Sequence, residues 1–346
     1  MAIFEKRDGG KWRARVRRKG HPEVSQTFTK KSIAQSWAQN IELKIRRGEV
    51  VDLQAQRVTF SEIAQRYREE VTPRKRTARA EGYRITRLIN VFGAYSLAAI
   101  RPLDIAKFRD ERVKDGMSGQ TVIHDLNALS AIFEHARKEW GIWLSENPAR
   151  AVSKPTKARG RSRRVSALEL DLLRRAADAS PAHGLRSILD LAIETACRLG
   201  ELISLEWARV DLSRCTLHLV ETKNGESRTV ALSAAAVATL AAMTRHSSGQ
   251  VFWNWSGSDA FQPTWRKCVR RARAMYEVEM AENGSKPAPE FLADFRFHDL
   301  RHEATSRLFE RGINTFEVAS MTGHKSMQML SRYTHVDAEK LALKLR

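Results

Sequence analysis

The chain has 346 residues, of which 42% are apolar and 29% are charged. This length exceeds the size at which a single hydrophobic core stops growing, so we expect two or three domains, and the apolar fraction excludes a disordered chain. Sixty Lys and Arg residues against forty Asp and Glu residues leave a formal charge of +20, spread from Arg13 to Arg346. Such a charge favours a polyanionic partner, nucleic acid above all, over a merely solubilising surface.

The cysteines and the amino terminus indicate the compartment. Cys197, Cys215 and Cys268 are far apart, odd in number and without a CxxC pair, so neither a disulfide framework nor a zinc site is predicted. The first residues lack the apolar region of a signal peptide, and no window approaches 18 consecutive apolar residues. We therefore expect a cytoplasmic protein in a reducing compartment, with no membrane partner.

Residues 10–30 are predicted to form a β-hairpin with a turn near residues 20–22, followed by a helix over residues 32–47. Along the first strand apolar residues alternate with three cations, which are Arg13, Arg15 and Arg17. A strand with a cationic face suits a DNA groove, whereas a plain structural cap is the alternative. We interpret residues 1–57 as a small DNA-binding domain with a β-sheet and a helix.

Helical periodicity dominates residues 58–153, which begin with Thr59 and Glu62 at the spacing of a capping box. This region is expected to be an all-α domain. Residues 154–165 are polar and cationic and form a predicted linker, with a solvated tether as its ordinary interpretation. Between two DNA-binding domains its cations are expected to lie along phosphates. The candidate residues are Lys157, Arg159, Arg161, Arg163 and Arg164.

Residues 166–346 have a mixed α+β pattern. Two short strands, over residues 216–220 and 228–232, are closed by Asn224-Gly225, a strong signal for a hairpin turn. Lys223 is therefore expected at the rim of this turn, on a rigid support. Upstream, residues 194–202 predict a turn between two helices that presents Arg198.

Further candidate residues follow towards the carboxyl end. His298 and Arg301 are one helical turn apart, His324 follows a glycine, and Tyr333 comes nine residues later. His298 and His302 are also one turn apart, but no further ligand lies nearby in the sequence, so a zinc site is not predicted.

These residues together resemble the signature of the tyrosine recombinases of the phage-integrase family. The family combines an arginine in a Gly-x-Arg-x-Gly-Glu-like segment, a lysine on a β-hairpin, His-x-x-Arg, a His or Trp after glycine, and a nucleophilic tyrosine. In chain order the matching residues are Arg198, Lys223, His298, Arg301, His324 and Tyr333. Glu201 matches a supporting acidic position, whereas Ala196 and Cys197 replace the usual glycine and aliphatic residue.

The resemblance implies the fold and the domain plan. It implies a multidomain, mostly α protein with a small amino-terminal β-sheet-plus-helix domain at residues 1–57, similar to those that bind arm sites in lambda-type integrases. Next would come an all-α, SAM-like core-binding domain at residues 58–153, and then an α+β catalytic domain at residues 166–346.

The resemblance also implies roles for the residues. Arg198 and Arg301 would hold the non-bridging phosphate oxygens, because planar guanidinium groups fit them bidentately. Tyr333 would attack phosphorus and form a 3′-phosphotyrosyl bond, which conserves energy for rejoining without ATP. Lys223 would protonate the departing 5′-oxygen, while His298 would assist proton transfer at the tyrosine. His324 would donate a hydrogen bond to a phosphate oxygen; no metal or other cofactor is required.

The function implied is that of an integrase of a prophage or another mobile element. It would act as a homotetramer on double-stranded DNA with core and arm attachment sites, with DNA-bending accessory proteins as further partners. Two alternatives remain open at this point. A type IB topoisomerase shares the chemistry, although the amino-terminal domain argues against it, and a catalytically silent DNA-binding regulator would have lost Tyr333 or an arginine.

Overall fold

The computed structural model describes residues 2–19, 21–47, 54–158, 161, 163–220, 227–331 and 333. The chain divides into two compact units, residues 1–159 and 160–346. Within the described residues no helix is both long enough and apolar enough to cross a membrane. The fold class predicted from the sequence is confirmed: the protein is mostly helical, with one small sheet near the amino terminus and another in the second unit.

The amino-terminal part of the first unit is a three-stranded antiparallel sheet covered by one helix. Its elements are β1 (Ala2–Lys6), β2 (Trp12–Arg18), β3 (His21–Phe28) and α1 (Lys31–Arg46). Strands β2 and β3 form the predicted hairpin, and β1 adds a strand that we did not predict. Ala14 and Val16 are buried against apolar residues of α1, so one face of β2 is apolar as expected; these residues are Ala34, Ala38, Ile41 and Ile45.

The opposite face of β2 carries Arg13, Arg15 and Arg17, and the flanking strands place glutamate and serine side chains next to two of them. Arg15 forms ion pairs with Glu5 of β1 and Glu23 of β3, at 3.6 and 3.1 Å. Arg13 donates a hydrogen bond to Ser25 Oγ at 3.1 Å, and Arg17 is exposed. The cationic row is thus partly neutralised by the flanking strands.

The rest of the first unit is a helical bundle with its own hydrophobic core. Its helices are α2 (Gln54–Arg57), α3 (Phe60–Glu70), α4 (Ala78–Phe92), α5 (Pro102–Lys114) and α6 (Gly119–Lys138). The predicted capping box at the start of α3 is present, with Thr59 and Glu62 each bonded to the other's backbone N–H. Phe60, Leu88 and Phe133 are fully buried in this core, which also includes Ala55 of α2.

In the second unit, helices surround a small antiparallel sheet. Its strands are β4 (Val210–Asp211), β5 (Thr216–Leu219) and β6 (Arg228–Ala231). Its helices are α7 (Ala167–Asp178), α8 (Leu185–Thr195), α9 (Leu199–Ile203), α10 (Ala234–Ala241), α11 (Ser258–Glu282), α12 (Phe297–Glu310), α13 (Thr315–Thr322) and α14 (Met327–Leu330). Strands β5 and β6 pair from Thr216↔Ala231 to Leu219↔Arg228, as the hairpin prediction requires. The predicted turn at Asn224-Gly225 lies outside the described residues.

Three arginines of the predicted linker are bonded to carboxylates of the second unit. Arg161 donates to both oxygens of the buried Asp299, each at 2.9 Å. Arg164 donates to Glu303 at 2.7 Å, and Arg163 donates to Glu169. These contacts attach the start of the second unit to α12 and α7. A phosphate would therefore have to compete with carboxylates for these guanidinium groups.

Candidate active site

The turn between α8 and α9 presents Arg198. Helix α8 ends at Thr195, and its C-cap residue Ala196 lies in the left-handed region at φ 53°, where an alanine costs about 1–2 kcal/mol more than in the right-handed region. This is the position at which the family pattern has glycine. Arg198 is the N-cap of α9, and its backbone N–H donates to Glu201 Oε2 at 2.8 Å. Its guanidinium group donates to Glu201 Oε1 at 2.8 Å and to the Gly323 carbonyl at 3.3 Å.

Glu201 is a buried carboxylate that two arginines share. Arg228, the first residue of β6, donates to Glu201 Oε1 at 3.0 Å and to Oε2 at 2.6 Å. Its Nε donates to the Met321 carbonyl at 2.9 Å. Burial opposes ionisation of Glu201, but the hydrogen bonds from Arg228 and Arg198 outweigh it and lower the pKa to about 2. Arg228 therefore joins the β-hairpin, α9 and the end of α13.

Arg301 on α12 is a buried cation whose hydrogen-bond acceptors are neutral. It is 3% exposed and donates to the carbonyl oxygens of Ala196 and Thr322, the latter at 2.6 Å. Desolvation, followed by the Arg198 cation, lowers the pKa of Arg301 to about 10, so the group stays protonated at neutral pH. Carbonyl oxygens do not neutralise a buried charge, and an arriving anion would be stabilised there.

The turn after α13 brings the two catalytic candidates Arg198 and Arg301 together. They donate to the adjacent carbonyl groups of Gly323 and Thr322. Gly323 lies in the left-handed region at φ 70°, and a Cβ there would meet Arg228 Nη1 at 3.0 Å, so both the backbone conformation and the close contact favour glycine. The two guanidinium groups and the next residue, His324, are consequently held by one short turn.

The orientation of His324 is set by Thr322. The Thr322 hydroxyl donates to the Val318 carbonyl at 2.6 Å and lies 2.6 Å from His324 Nδ1. Because the only hydroxyl proton is used in the first bond, we assign a proton to Nδ1 of His324, which donates to Thr322 Oγ. Nε2 is the other ring nitrogen, and it can donate only when the ring is an imidazolium.

Tyr333 is half-buried, and its hydroxyl is hydrogen-bonded to Nδ1 of His302. The two ring centroids are 5.7 Å apart with an interplanar angle of 30°, and the His324 ring centroid lies 6.3 Å from that of Tyr333. The tyrosine side chain packs beside a small apolar cluster that includes Leu308, Val318 and Leu330. The phenol is thus placed next to two imidazole rings.

His298 lies one ring further from the tyrosine and contacts His302 edge to face, with centroids 4.8 Å apart. Desolvation, then His302 and the Arg301 cation, lower the pKa of His298 to about 4. With its pKa lowered from the usual value near 6.5, the His298 ring is neutral at pH 7. His298 borders an open depression of about 540 Å³, which Arg266, Arg296 and Gln262 also line.

Five of the six predicted catalytic residues therefore converge within the described part of the second unit. They are Arg198, His298, Arg301, His324 and Tyr333. Lys223 and Arg159 lie outside the described residues, and Lys157 is exposed. Sequence reasoning missed Arg228 and assigned no catalytic role to His302. The i, i+4 spacing of His302 from His298 is a usable signal, because it places both rings on one face of α12, where they are in contact.

We expect Arg228→Met to lower the free energy of unfolding of the second unit by about 3–5 kcal/mol, because it leaves the buried Glu201 without its bidentate partner. The matched control is Arg209→Met, which breaks the exposed pair with Glu206 and should cost about 0–1 kcal/mol. Denaturant unfolding measures both values. Equal losses would contradict the role of Arg228.

The same pair predicts a pH dependence. Since folding lowers the pKa of Glu201 from 4.5 to about 2, its contribution is complete above pH 4.5 and is lost as the pH falls towards 2. Arg228→Met should flatten this part of the curve of unfolding free energy against pH. An unchanged slope would contradict the assignment.

Comparison with known proteins agrees with this geometry. Residues 163–340 match the model of the phage integrase family, which is just over half of the chain. The chain belongs to the phage integrase family. Residues 56–155 match the phage integrase N-terminal domain. Family membership makes the protein a site-specific tyrosine recombinase of the kind found in mobile elements, an enzyme that breaks and rejoins DNA, as the sequence predicted.

Individual relatives extend the comparison. A shufflon-specific DNA recombinase of Escherichia coli is 37% identical over 302 residues, which are 84% of this chain and 72% of the relative. The integrase of Salmonella phage P22 is 28% identical over 61% of this chain and 52% of its own length. The lambda integrase dimer bound to a COC′ core site is 21% identical and aligns over 95% of this chain and 93% of that chain, with a TM-score of 0.59. This last likeness supports the fold.

Proposed function

We propose that this recombinase cleaves and rejoins DNA through a 3′-phosphotyrosyl bond to Tyr333. The observation that carries the proposal is the bonding of Arg198 and Arg301 to the adjacent carbonyls of Gly323 and Thr322. These carbonyls directly precede His324, whose ring lies beside the ring of Tyr333. The two guanidinium groups bind the non-bridging oxygens of the scissile phosphate. Removing one preorganised donor of this kind typically costs ~10²–10³ in rate.

Protonation of the other groups completes the proposed mechanism. Lys223 protonates the departing 5′-oxygen, which is otherwise a poor leaving group. His324 donates from Nε2 to a phosphate oxygen as an imidazolium, because its Nδ1 is occupied by Thr322. The incoming phosphate stabilises this cation. The positive charge required for the transition state comes from side chains of the chain itself, so the proposal includes no metal ion or other cofactor.

We also propose three domains joined by a linker: residues 1–57, 58–153 and 166–346, with residues 154–165 between the last two. Separate hydrophobic cores in the sheet-plus-helix part, the helical bundle and the second unit support three domains. Ala55 of α2 packs in the core of the bundle, which favours a first boundary a few residues before 57. In the proposal, Arg13, Arg15 and Arg17 contact arm-site DNA, and the exposed Lys157 of the linker contacts core-site phosphates. Arg159, Arg161, Arg163 and Arg164 are proposed to contact the same phosphates, three of them in competition with their carboxylates.

Assembly is proposed from the solved relatives. One lambda integrase structure is a dimer on a core site, and another is a tetramer on a Holliday junction. We propose that this chain likewise forms a homotetramer on two double-stranded DNA sites and exchanges strands in two steps. DNA-bending proteins are further proposed partners where arm and core sites have to be brought together, and the place of action is the DNA of the cytoplasm.

The proposed biological role is integration and excision of a prophage or another mobile element. A second candidate role, recombination at sites other than attachment sites, is favoured by the 37% identity to the shufflon-specific recombinase. Sequencing of the recombination junctions formed in cells that express the protein separates the two roles and defines the core site. Junctions that join an element to a chromosome support the first role, and junctions confined to one element support the second.

Covalent trapping tests the proposed chemistry. The probe is a nicked duplex carrying that core site, in which loss of a short fragment after cleavage prevents rejoining. We expect a protein–DNA adduct that resists denaturation. Binding without an adduct would favour the silent regulator, whereas relaxation of supercoiled DNA that lacks the site would favour a topoisomerase.

Removal of residues 1–53 tests the arm-binding proposal. Ala55 packs in the core of the helical bundle, so residues from 54 onward are kept. We expect cleavage of the nicked core-site duplex to persist and recombination between full-length sites to fall by at least tenfold. The matched control is the full-length protein with Arg13, Arg15 and Arg17 all replaced by glutamine. It should show the same loss of recombination between full-length sites. Normal recombination by both proteins would rule out arm binding.

A further inference from the structure

His302 contacts Tyr333, the proposed nucleophile. His302 follows Arg301 on α12, and its Nδ1 is hydrogen-bonded to the Tyr333 hydroxyl. The two rings are inclined by only 30°. His298, the residue for which the family resemblance implies proton transfer at the tyrosine, contacts His302 edge to face. The imidazole in contact with the reacting oxygen is therefore that of His302.

The position of His302 is fixed by its neighbours along the helix. Arg301 is buried and bonded to two carbonyl groups. Glu303, which is 2% exposed, accepts hydrogen bonds from Arg164, from the Val165 backbone N–H and from Arg307, at 2.7, 3.1 and 2.8 Å. These bonds at the residues on both sides restrain rotation of α12 about its axis and keep His302 on the face of the helix that meets Tyr333.

Chemistry requires a proton acceptor at this point. A phenol has a pKa of about 10 and is mostly protonated at neutral pH, so attack on phosphorus needs removal of its proton. A base within hydrogen-bond distance that takes this proton typically contributes 10²–10⁴-fold in rate. His302 meets the distance requirement with the ring nitrogen that faces the oxygen.

We propose that His302 is a catalytic residue, the general base for Tyr333 in cleavage and the general acid in rejoining. The proposal rests on the proposed function of Tyr333 as nucleophile. In cleavage the bond from the Tyr333 oxygen to phosphorus forms and the bond from phosphorus to the 5′-oxygen breaks. The phenolic proton moves to His302 Nδ1, and the departing 5′-oxygen takes a proton from Lys223. In rejoining the 5′-hydroxyl attacks and gives its proton to Lys223, the tyrosine oxygen departs, and His302 returns the proton to it. The starting tautomer carries its proton on Nε2.

Two variants of the full-length protein separate base catalysis from simple placement. In His302→Asn an amide atom occupies the place of Nδ1 and keeps a hydrogen bond to the hydroxyl, but an amide does not take up a proton. In His302→Leu both functions are lost. We expect single-turnover cleavage of the nicked core-site duplex to slow by ~10²–10⁴-fold in both variants. Circular dichroism and binding to the duplex should match those of the unsubstituted protein.

A more acidic nucleophile provides the decisive comparison. Difluorotyrosine placed at position 333 has a phenol pKa well below the usual value of about 10. Much of it is therefore ionised at neutral pH without the help of a base. We expect it to restore most of the cleavage rate in the His302→Asn and His302→Leu proteins. The matched control is His298→Leu, one helical turn away, in which the fluorinated residue should give no comparable gain.

The outcomes are distinct from those that test the proposed function. If the unsubstituted protein forms no adduct, the proposed function fails. If it forms the adduct and His302→Asn cleaves at a similar rate, only the role of His302 is overturned. Slow His302 variants that difluorotyrosine does not rescue, or equal rescue of the His298 variant, would also overturn it.

Discussion

Tyr333→Phe should abolish covalent capture of DNA while site binding remains within a factor of about two or three. The change removes one hydroxyl and keeps the half-buried ring against its apolar neighbours, so the protein surface that meets DNA is preserved. Without the hydroxyl the described site offers no phenol to phosphorus. Denaturing electrophoresis measures the adduct, and gel retardation measures binding.

The control for this substitution is Tyr276→Phe in the same unit. Tyr276 is buried, and its hydroxyl accepts a hydrogen bond from the Ala288 backbone N–H at 3.2 Å. Loss of that bond costs about 1 kcal/mol of stability and should leave adduct formation intact. An adduct that survives in Tyr333→Phe would assign the nucleophile to another residue.

Lys223→Ala should reduce cleavage of ordinary DNA by ~10²–10⁴-fold, the usual contribution of a general acid. It should recover most of this loss on DNA that carries sulfur in place of the bridging 5′-oxygen at the scissile phosphate. A thiolate departs without a proton, so the general acid becomes dispensable. Single-turnover cleavage rates on the two substrates give the comparison.

Arg198→Ala is the matched control for the sulfur substitution. Its guanidinium group is proposed to stabilise the non-bridging oxygens, which the sulfur leaves unchanged, so we expect no comparable recovery. Equal recovery of both variants, or of neither, would show that Lys223 does not protonate the leaving group.

Local patterns predicted much of the fold. The capping box at Thr59 and Glu62 needs only residues three apart, and it is present as predicted. The pairing of β5 with β6 and of β2 with β3 was also predictable from residue patterns within a short stretch of sequence. Strand β1 was not predicted, because its five residues carry no turn signal of their own. These residues form a strand through their pairing with β2.

Long-range contacts explain what the sequence did not predict. The carboxylate partners of Arg161 and Arg164 are more than 130 residues away in the chain, so a run of linker cations looked available for phosphate. The bond from His302 to Tyr333 also depends on how α12 meets the residues after α14. Spacing along α12 placed His298 and His302 on one face, but it could not tell which ring reaches the phenol.

The central claim is that Tyr333 carries the broken DNA strand. The most direct measurement is digestion of the trapped adduct with protease and nuclease, followed by mass spectrometry of the peptide that retains a nucleotide. We predict a single modified peptide, with a 3′-phosphonucleotide on the Tyr333 oxygen. A nucleotide on another side chain, or attachment through a 5′-phosphate, would contradict the account.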